Sequence, residues 1–243
     1  MVSHCDEFFA SCLEFDAQGV LLVAGSSNGV VALFDSDEIF HRTINLAQRI
    51  AQRDALTVDE EGTQRIRQQA RNEDVPSTLP AWPALEQPSI KPVHMIFTGL
   101  EVERIRWNPL REDEIACCFA NRNEIYLYNL QKFPSRPHIV LKASTRPSSG
   151  YNDLVFFAPP DRSAVPKASL HGTKKGKSRT GAVIAGDLDG ALRQWDLRFP
   201  TRPVWSVSTG SQPVNTLSLT SDNELLLCGT EGGMVLVRDC LMC

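Results

Sequence analysis

The chain has little of what marks a membrane or secreted protein. None of its 243 residues fall in an apolar run approaching the length of a bilayer span. The opening residues Met1–Glu7 lack the basic region and apolar core of a signal peptide. An excess of one charge is also missing: 25 basic side chains face 29 acidic ones, a net charge of −4, which argues against a general polyanion binder. Motifs that carry chemistry are scarce. The sequence holds no P-loop and no His-Glu-x-x-His, and it is read as holding no nucleophile elbow. Histidines 4, 41, 94, 138 and 171 are scattered, and His94 and His138 open strand-like runs where a structural role is expected. The expectation is a non-catalytic chain with no metal and no cofactor. Seven cysteines are an odd number, several inside apolar runs, which points to free thiols in the nucleus or cytoplasm. Cys240 and Cys243 have the spacing of a metal or redox pair but stand alone, whereas a structural zinc takes four ligands.

What is present is repetition. Gly25-Ser26-Ser27-Asn28-Gly29, Gly186-Asp187-Leu188-Asp189-Gly190 and Gly229-Thr230-Glu231-Gly232-Gly233 share the pattern Gly-x-x-x-Gly. Each follows a short apolar run and precedes another that ends on an acid six residues after the second glycine: Asp35, Asp196 and Asp239. The pattern predicts two strands joined by a tight turn, and Asp189-Gly190 is read as a two-residue hairpin turn with Gly supplying the positive φ. A degenerate copy runs from 105 to 130, with Asn123 in the turn glycine's place, Asn being the next best residue for that backbone. A further strand-like run follows each of the first three copies in chain order, at 93–99, 138–143 and 204–210. The recurring acids are therefore strand-end residues rather than a catalytic pair.

Four short strands per unit, a Gly-rich hairpin and the aromatic-acid close Trp195-Asp196 make the chain resemble the WD-repeat (β-transducin-like) family. The resemblance implies an all-β fold, a WD-repeat β-propeller of about four blades over 9–243, with units near 9–99, 100–144, 150–210 and 211–243. Ring closure in that family takes about seven blades, so an incomplete ring is expected. The family's Gly-His dipeptide is absent: Gly99 and Gly210 are followed by Leu100 and Ser211, so the hydrogen-bond network that His anchors is not expected.

Two insertions interrupt the units. Residues 36–92 begin with a helical pattern, Ser36-Asp37-Glu38 giving an acidic first turn, and include a second helical candidate over 60–71. Residues 159–181 carry a basic cluster, Lys174, Lys175, Lys177 and Arg179, which reads either as a nuclear-import signal or as a solvated loop. Its lack of interleaved aromatics argues against direct nucleic-acid binding.

The stretch from Val183 to Arg198 is similar to the sixteen-residue box of WD-repeat substrate receptors of cullin-4 RING ubiquitin ligases. That similarity implies docking on the damaged-DNA-binding protein 1 adaptor through Asp189, Trp195, Asp196 and Arg198. Arg198 is the discriminating position, because the other copies hold Asp37, Gln131 and Leu241 there. The competing expectation is a scaffold in another nuclear or cytosolic complex, in chromatin or RNA processing, with an enzyme on a propeller platform a distant third.

Overall fold

A computed structural model describes residues 9–57, 90–132, 135–143, 150–158, 181–210 and 212–240. The fold is all-β, built from antiparallel sheets whose strands pair in chain order. The first sheet is β1 (Ala10–Phe15), β2 (Leu21–Ser26), β3 (Val30–Asp35) and β4 (His94–Phe97). The second is β5 (Val102–Asn108), β6 (Arg111–Phe119), β7 (Arg122–Asn129) and β8 (Ile139–Lys142). The third is β9 (Tyr151–Phe157), β10 (Ala182–Asp187), β11 (Ala191–Asp196) and β12 (Trp205–Ser208). The last has three strands, β13 (Val214–Leu219), β14 (Leu225–Thr230) and β15 (Val235–Asp239). In these sheets β4, β8 and β12 occupy the runs expected for fourth strands.

Turn chemistry accounts for the repeated glycines. Gly29, Gly190 and Gly233 take φ of +83°, +77° and +78°, a backbone region that side chains with a Cβ rarely enter. Each N–H donates to the carbonyl three residues back, on Ser26, Asp187 and Thr230, at 3.0–3.2 Å. Between β10 and β11 the connection is therefore three residues, Leu188-Asp189-Gly190, with glycine last, and not the two-residue turn that Asp189-Gly190 suggested. In the second sheet the turn also falls elsewhere. Asn123 lies within β7 with no positive φ, Phe119 pairs with Arg122, and the Asn123 Oδ1 accepts the Tyr151 hydroxyl at 2.6 Å.

The first glycine of each motif does different work. A Cβ on Gly25 would sit 2.7 Å from Val102 Cγ1, and one on Gly186 would sit 2.2 Å from Val214 Cγ1. Val102 and Val214 begin the first strand of the following sheet, so the glycine is a notch into which that strand packs.

Consecutive sheets bury their facing sides in three cores. Cys12, Val23, Val31 and Ile96 of the first sheet meet Ile105, Ile115 and Phe119 of the second. Cys118, Ile125 and Leu127 of the second meet Leu154, Val183 and Trp195 of the third. Ile184 and Leu192 of the third meet Val214, Leu217 and Cys228 of the last.

Polar groups run through the first strands as well. Asp153 of β9 is fully buried and accepts Arg106 Nη2 of β5 at 3.0 and 3.1 Å. It also accepts the Leu217 N–H of β13 at 2.8 Å and the Thr216 hydroxyl at 3.3 Å. Arg106 Nη1 reaches Glu14 of β1 at 3.7 Å, and Glu14 in turn accepts the Trp107 N–H at 2.9 Å. One chain of charges thus touches β1, β5, β9 and β13.

Residues 34–92 form a second compact unit, apart from 1–33 and 93–243. Its described element is α1 (Ser36–Thr57), as the acidic first turn predicted. Asp35 caps it: its carboxylate accepts the Asp37 N–H at 2.9 Å and the Glu38 N–H at 3.4 Å. Among the described residues no helix is long and apolar enough to cross a membrane. The second helical candidate, 60–71, lies outside the described residues.

Removing the central carboxylate leaves Arg106 Nη2 and the Leu217 N–H without their acceptor. Asp153→Ala is expected to lower stability by about 3–5 kcal/mol in chemical denaturation. Asp153→Asn, which keeps an acceptor oxygen, should lose less.

Candidate interaction site

The box from Val183 to Arg198 folds as a hairpin whose two ends do different things. At the turn end, Asp187 is buried. Its Oδ1 accepts the N–H groups of Asp189 (3.1 Å) and Ala191 (2.6 Å), and its Oδ2 accepts Arg193 Nη1. Arg193 also hydrogen-bonds Tyr151, whose hydroxyl donates to Asn123. This Asp187–Arg193–Tyr151–Asn123 network links the third sheet to the second without any histidine.

At the other end stands the aromatic-acid pair. Trp195 is fully buried, packs edge-on against Tyr151 at a centroid distance of 5.7 Å, and donates its Nε1–H to the Lys142 carbonyl at 3.0 Å. It therefore belongs to the core joining the second and third sheets rather than to the exposed surface. Its burial also explains the pair: the indole anchors the end of β11, and the next residue emerges at the surface.

Asp196 and Arg198 form that surface. The Asp196 carboxylate accepts the Arg198 backbone N–H at 2.9 Å and the Arg198 Nε–H at 2.9 and 3.0 Å, and it also holds Nη2. The hydrogen bond from Arg198 and its charge hold the Asp196 carboxyl below its ordinary value. Arg198 is exposed, and its Cζ lies 5.8 Å from the ring centroid of Phe199, itself an exposed aromatic. A pinned guanidinium beside an exposed ring offers a planar donor and an apolar face together. The sequence reading missed Phe199, although an aromatic directly after the discriminating arginine was a visible signal.

Asp189 is exposed at the turn end of the hairpin. The strand from Ala191 to Asp196 separates it from Arg198 by about 17 Å at the rise of an extended chain. The fold brings Asp196, Arg198 and Phe199 together and leaves Asp189 apart. Lys174, Lys175, Lys177 and Arg179 lie outside the described residues.

Other reactive groups are held in structural roles. Burial raises the thiols of Cys12, Cys117, Cys118 and Cys228 above their ordinary value, which disfavours the nucleophilic thiolate. Cys240 is buried, and Cys243 lies outside the described residues. Gly25-Ser26-Ser27-Asn28-Gly29 has the letters of a nucleophile elbow, which the sequence reading passed over. Here it connects β2 to β3, so Ser27 lies in a strand-to-strand turn and not at the strand-to-helix bend such a serine needs. Among the described residues no three His, Cys, Asp or Glu side chains are grouped to hold a metal.

A depression of about 430 Å³ is lined by Glu14, Arg106, Trp107, Leu217, Thr220 and Asn223 among others. Its charged members are already paired with one another and with Asp153.

Glu114 is a third buried carboxylate, beside Asp153 and Asp187. It accepts Asn108 Nδ2 at 2.5 Å and Arg111 Nη1 at 3.1 Å, and lies 2.9 Å from His138 Nε2. Burial alone would raise it; hydrogen bonds from His138 and Asn108 and the nearby positive charge outweigh that and hold it below its ordinary value. A depressed carboxyl stabilises the fold above its unfolded value of about 4.3 and stops doing so as the pH falls through its folded value. Glu114→Gln should therefore flatten the acid-side fall in stability, read as denaturation midpoints from about pH 6 down to pH 3.

The hairpin's two ends should separate just as cleanly. Trp195→Ala is expected to cost about 3–5 kcal/mol of stability, whereas Arg198→Ala should leave the thermal midpoint unchanged. Neither the protein-family models nor the curated protein sequences contain a match to this chain.

Proposed function

We propose that the chain is a non-catalytic WD-repeat scaffold that binds proteins, and that it docks on the damaged-DNA-binding protein 1 adaptor of a cullin-4 RING ubiquitin ligase. The observation that carries this reading is the exposed Arg198 guanidinium, pinned by Asp196 beside exposed Phe199 at the end of β11. The fold itself does not require Arg198. An arginine ordered before binding loses less side-chain freedom on contact, and its forked donors suit partner carbonyls or carboxylates. The WD-repeat part of the reading is supported by sheets that follow one another in chain order, each a simple meander, with a left-handed glycine at the same place in the first, third and last. In this reading Trp195 supports the site from beneath, and contact falls on Asp196, Arg198 and Phe199.

Binding of the purified chain to the purified adaptor, followed by interferometry, tests both halves. Wild type should bind, and Arg198→Ala and Asp196→Ala should each weaken binding by about tenfold to a hundredfold. An adaptor that ignores the wild-type chain overturns the ligase reading. Binding that neither substitution weakens overturns the site.

A further inference from the structure

The three sheet-to-sheet interfaces share one register, and both ends of the stack carry it unused. Two positions before the first motif glycine and two after the second lie on the side facing the following sheet. In the first sheet these are Val23 and Val31; in the third, Ile184 and Leu192; all four are buried in a core shared with the next sheet. In the last sheet the same places hold Leu227 and Val235, and Val237 pairs directly with Leu227. Here they are exposed: Val235 is 70% and Val237 61% accessible.

The opposite end shows the complementary pattern. Ile105, Leu154 and Leu217 pair with the residue just before the motif glycine, or its equivalent Cys117, and each is buried against the preceding sheet. Leu13 of β1 pairs with Ala24 in the same register, yet it is 62% accessible, and Phe15 two residues on is 56% accessible. The glycine notches agree. Gly25 and Gly186 each meet a valine of the following sheet, Gly25 also meeting Cys12 of its own, whereas Gly229 meets only Thr216 Cγ2 of its own sheet.

We infer that this chain self-associates head to tail, the outer face of β14–β15 in one copy packing on the outer face of β1–β2 in a second. The occupant is a second copy because the chain carries both halves of one contact: an exposed aliphatic surface, and a Leu-Phe surface in the register that fills such surfaces three times within the chain. Neither half places a charge at the matched positions Leu13, Phe15, Leu227, Val235 or Val237, so the contact is apolar on both sides. The contact is heterologous: it closes if two copies complete the rotation and otherwise continues as a series. It also removes a contiguous apolar surface of the kind that soluble chains seldom leave open.

Light scattering after size-exclusion chromatography, with the full chain, tests this. Wild type should run at twice its monomer mass or more. Two blocked variants, Leu227→Glu with Val237→Glu and Leu13→Glu with Phe15→Glu, should each be monomeric, with the dissociation constant raised by about a hundredfold or more. Each variant keeps one intact face, so an equimolar mixture should form a one-to-one complex. Circular dichroism checks that both stay folded; if either does not, Leu227→Ser with Val237→Thr and Leu13→Ser with Phe15→Ser replace them. A monomeric wild type overturns the proposal. So does a blocked variant that still dimerises alone, which would place the contact on the open edge of β15, and so does a mixture that stays monomeric.

Discussion

Asp153 is the group on which the arrangement of the sheets turns. Apolar faces set which sides of the sheets meet, but dispersion and burial are indifferent to small slides of one sheet along another. A buried carboxylate is not indifferent. It must keep its acceptors filled, and here the donors are Arg106 of the second sheet and the Leu217 N–H of the last. Shifting either sheet by one residue would leave a charge in the core without a partner, a far larger penalty than a repacked methyl group. The relay through Arg106 to Glu14 extends the same constraint to β1. Burial holds the Glu14 carboxyl above its ordinary value against the pull of Arg106, as expected of a group whose position is dictated by its neighbours.

Much of this fold was legible in the sequence because it depends on local rules. The second motif glycine is required by a φ near +80°, and Asp, Ser or Thr three residues earlier supplies the carbonyl that closes the turn. Those constraints recur in the first, third and last copies and are visible as spacing. Strand boundaries, the late fourth strands and the acidic start of α1 followed for the same reason. Where the turn chemistry differed, the reading slipped: Asn123 looked like a glycine substitute but serves as an acceptor for Tyr151, a partner 28 residues away that no local pattern announces.

The site was legible only in part. Asp196 and Arg198 lie two residues apart, so their pairing is local and could be anticipated. The burial of Trp195 depends on Tyr151 and on the Lys142 carbonyl, both distant in sequence. Asp189 shares a box with Arg198 yet sits at the far end of an extended strand, and a linear motif does not display that separation. Asp153 escaped notice for a similar reason. It is one acid within an apolar run, and its importance comes from three strands that converge on it.

The helical insertion carries a consequence for how the protein acquires its structure. Between β11 and β12 the chain spans residues 197–204, but between β3 and β4 it spans residues 36–93. For a flexible loop, a span about seven times longer adds about 2 kcal/mol of closure entropy. The third sheet can therefore complete its meander early, while β4 must find β3 from a distance. During synthesis β1, β2 and β3 leave the ribosome with the β3 edge open until β4 follows, and an open edge is where extended chains pair wrongly. A helix that starts directly at Asp35, capped by the last residue of β3, gives that interval a local structure in place of a free strand end.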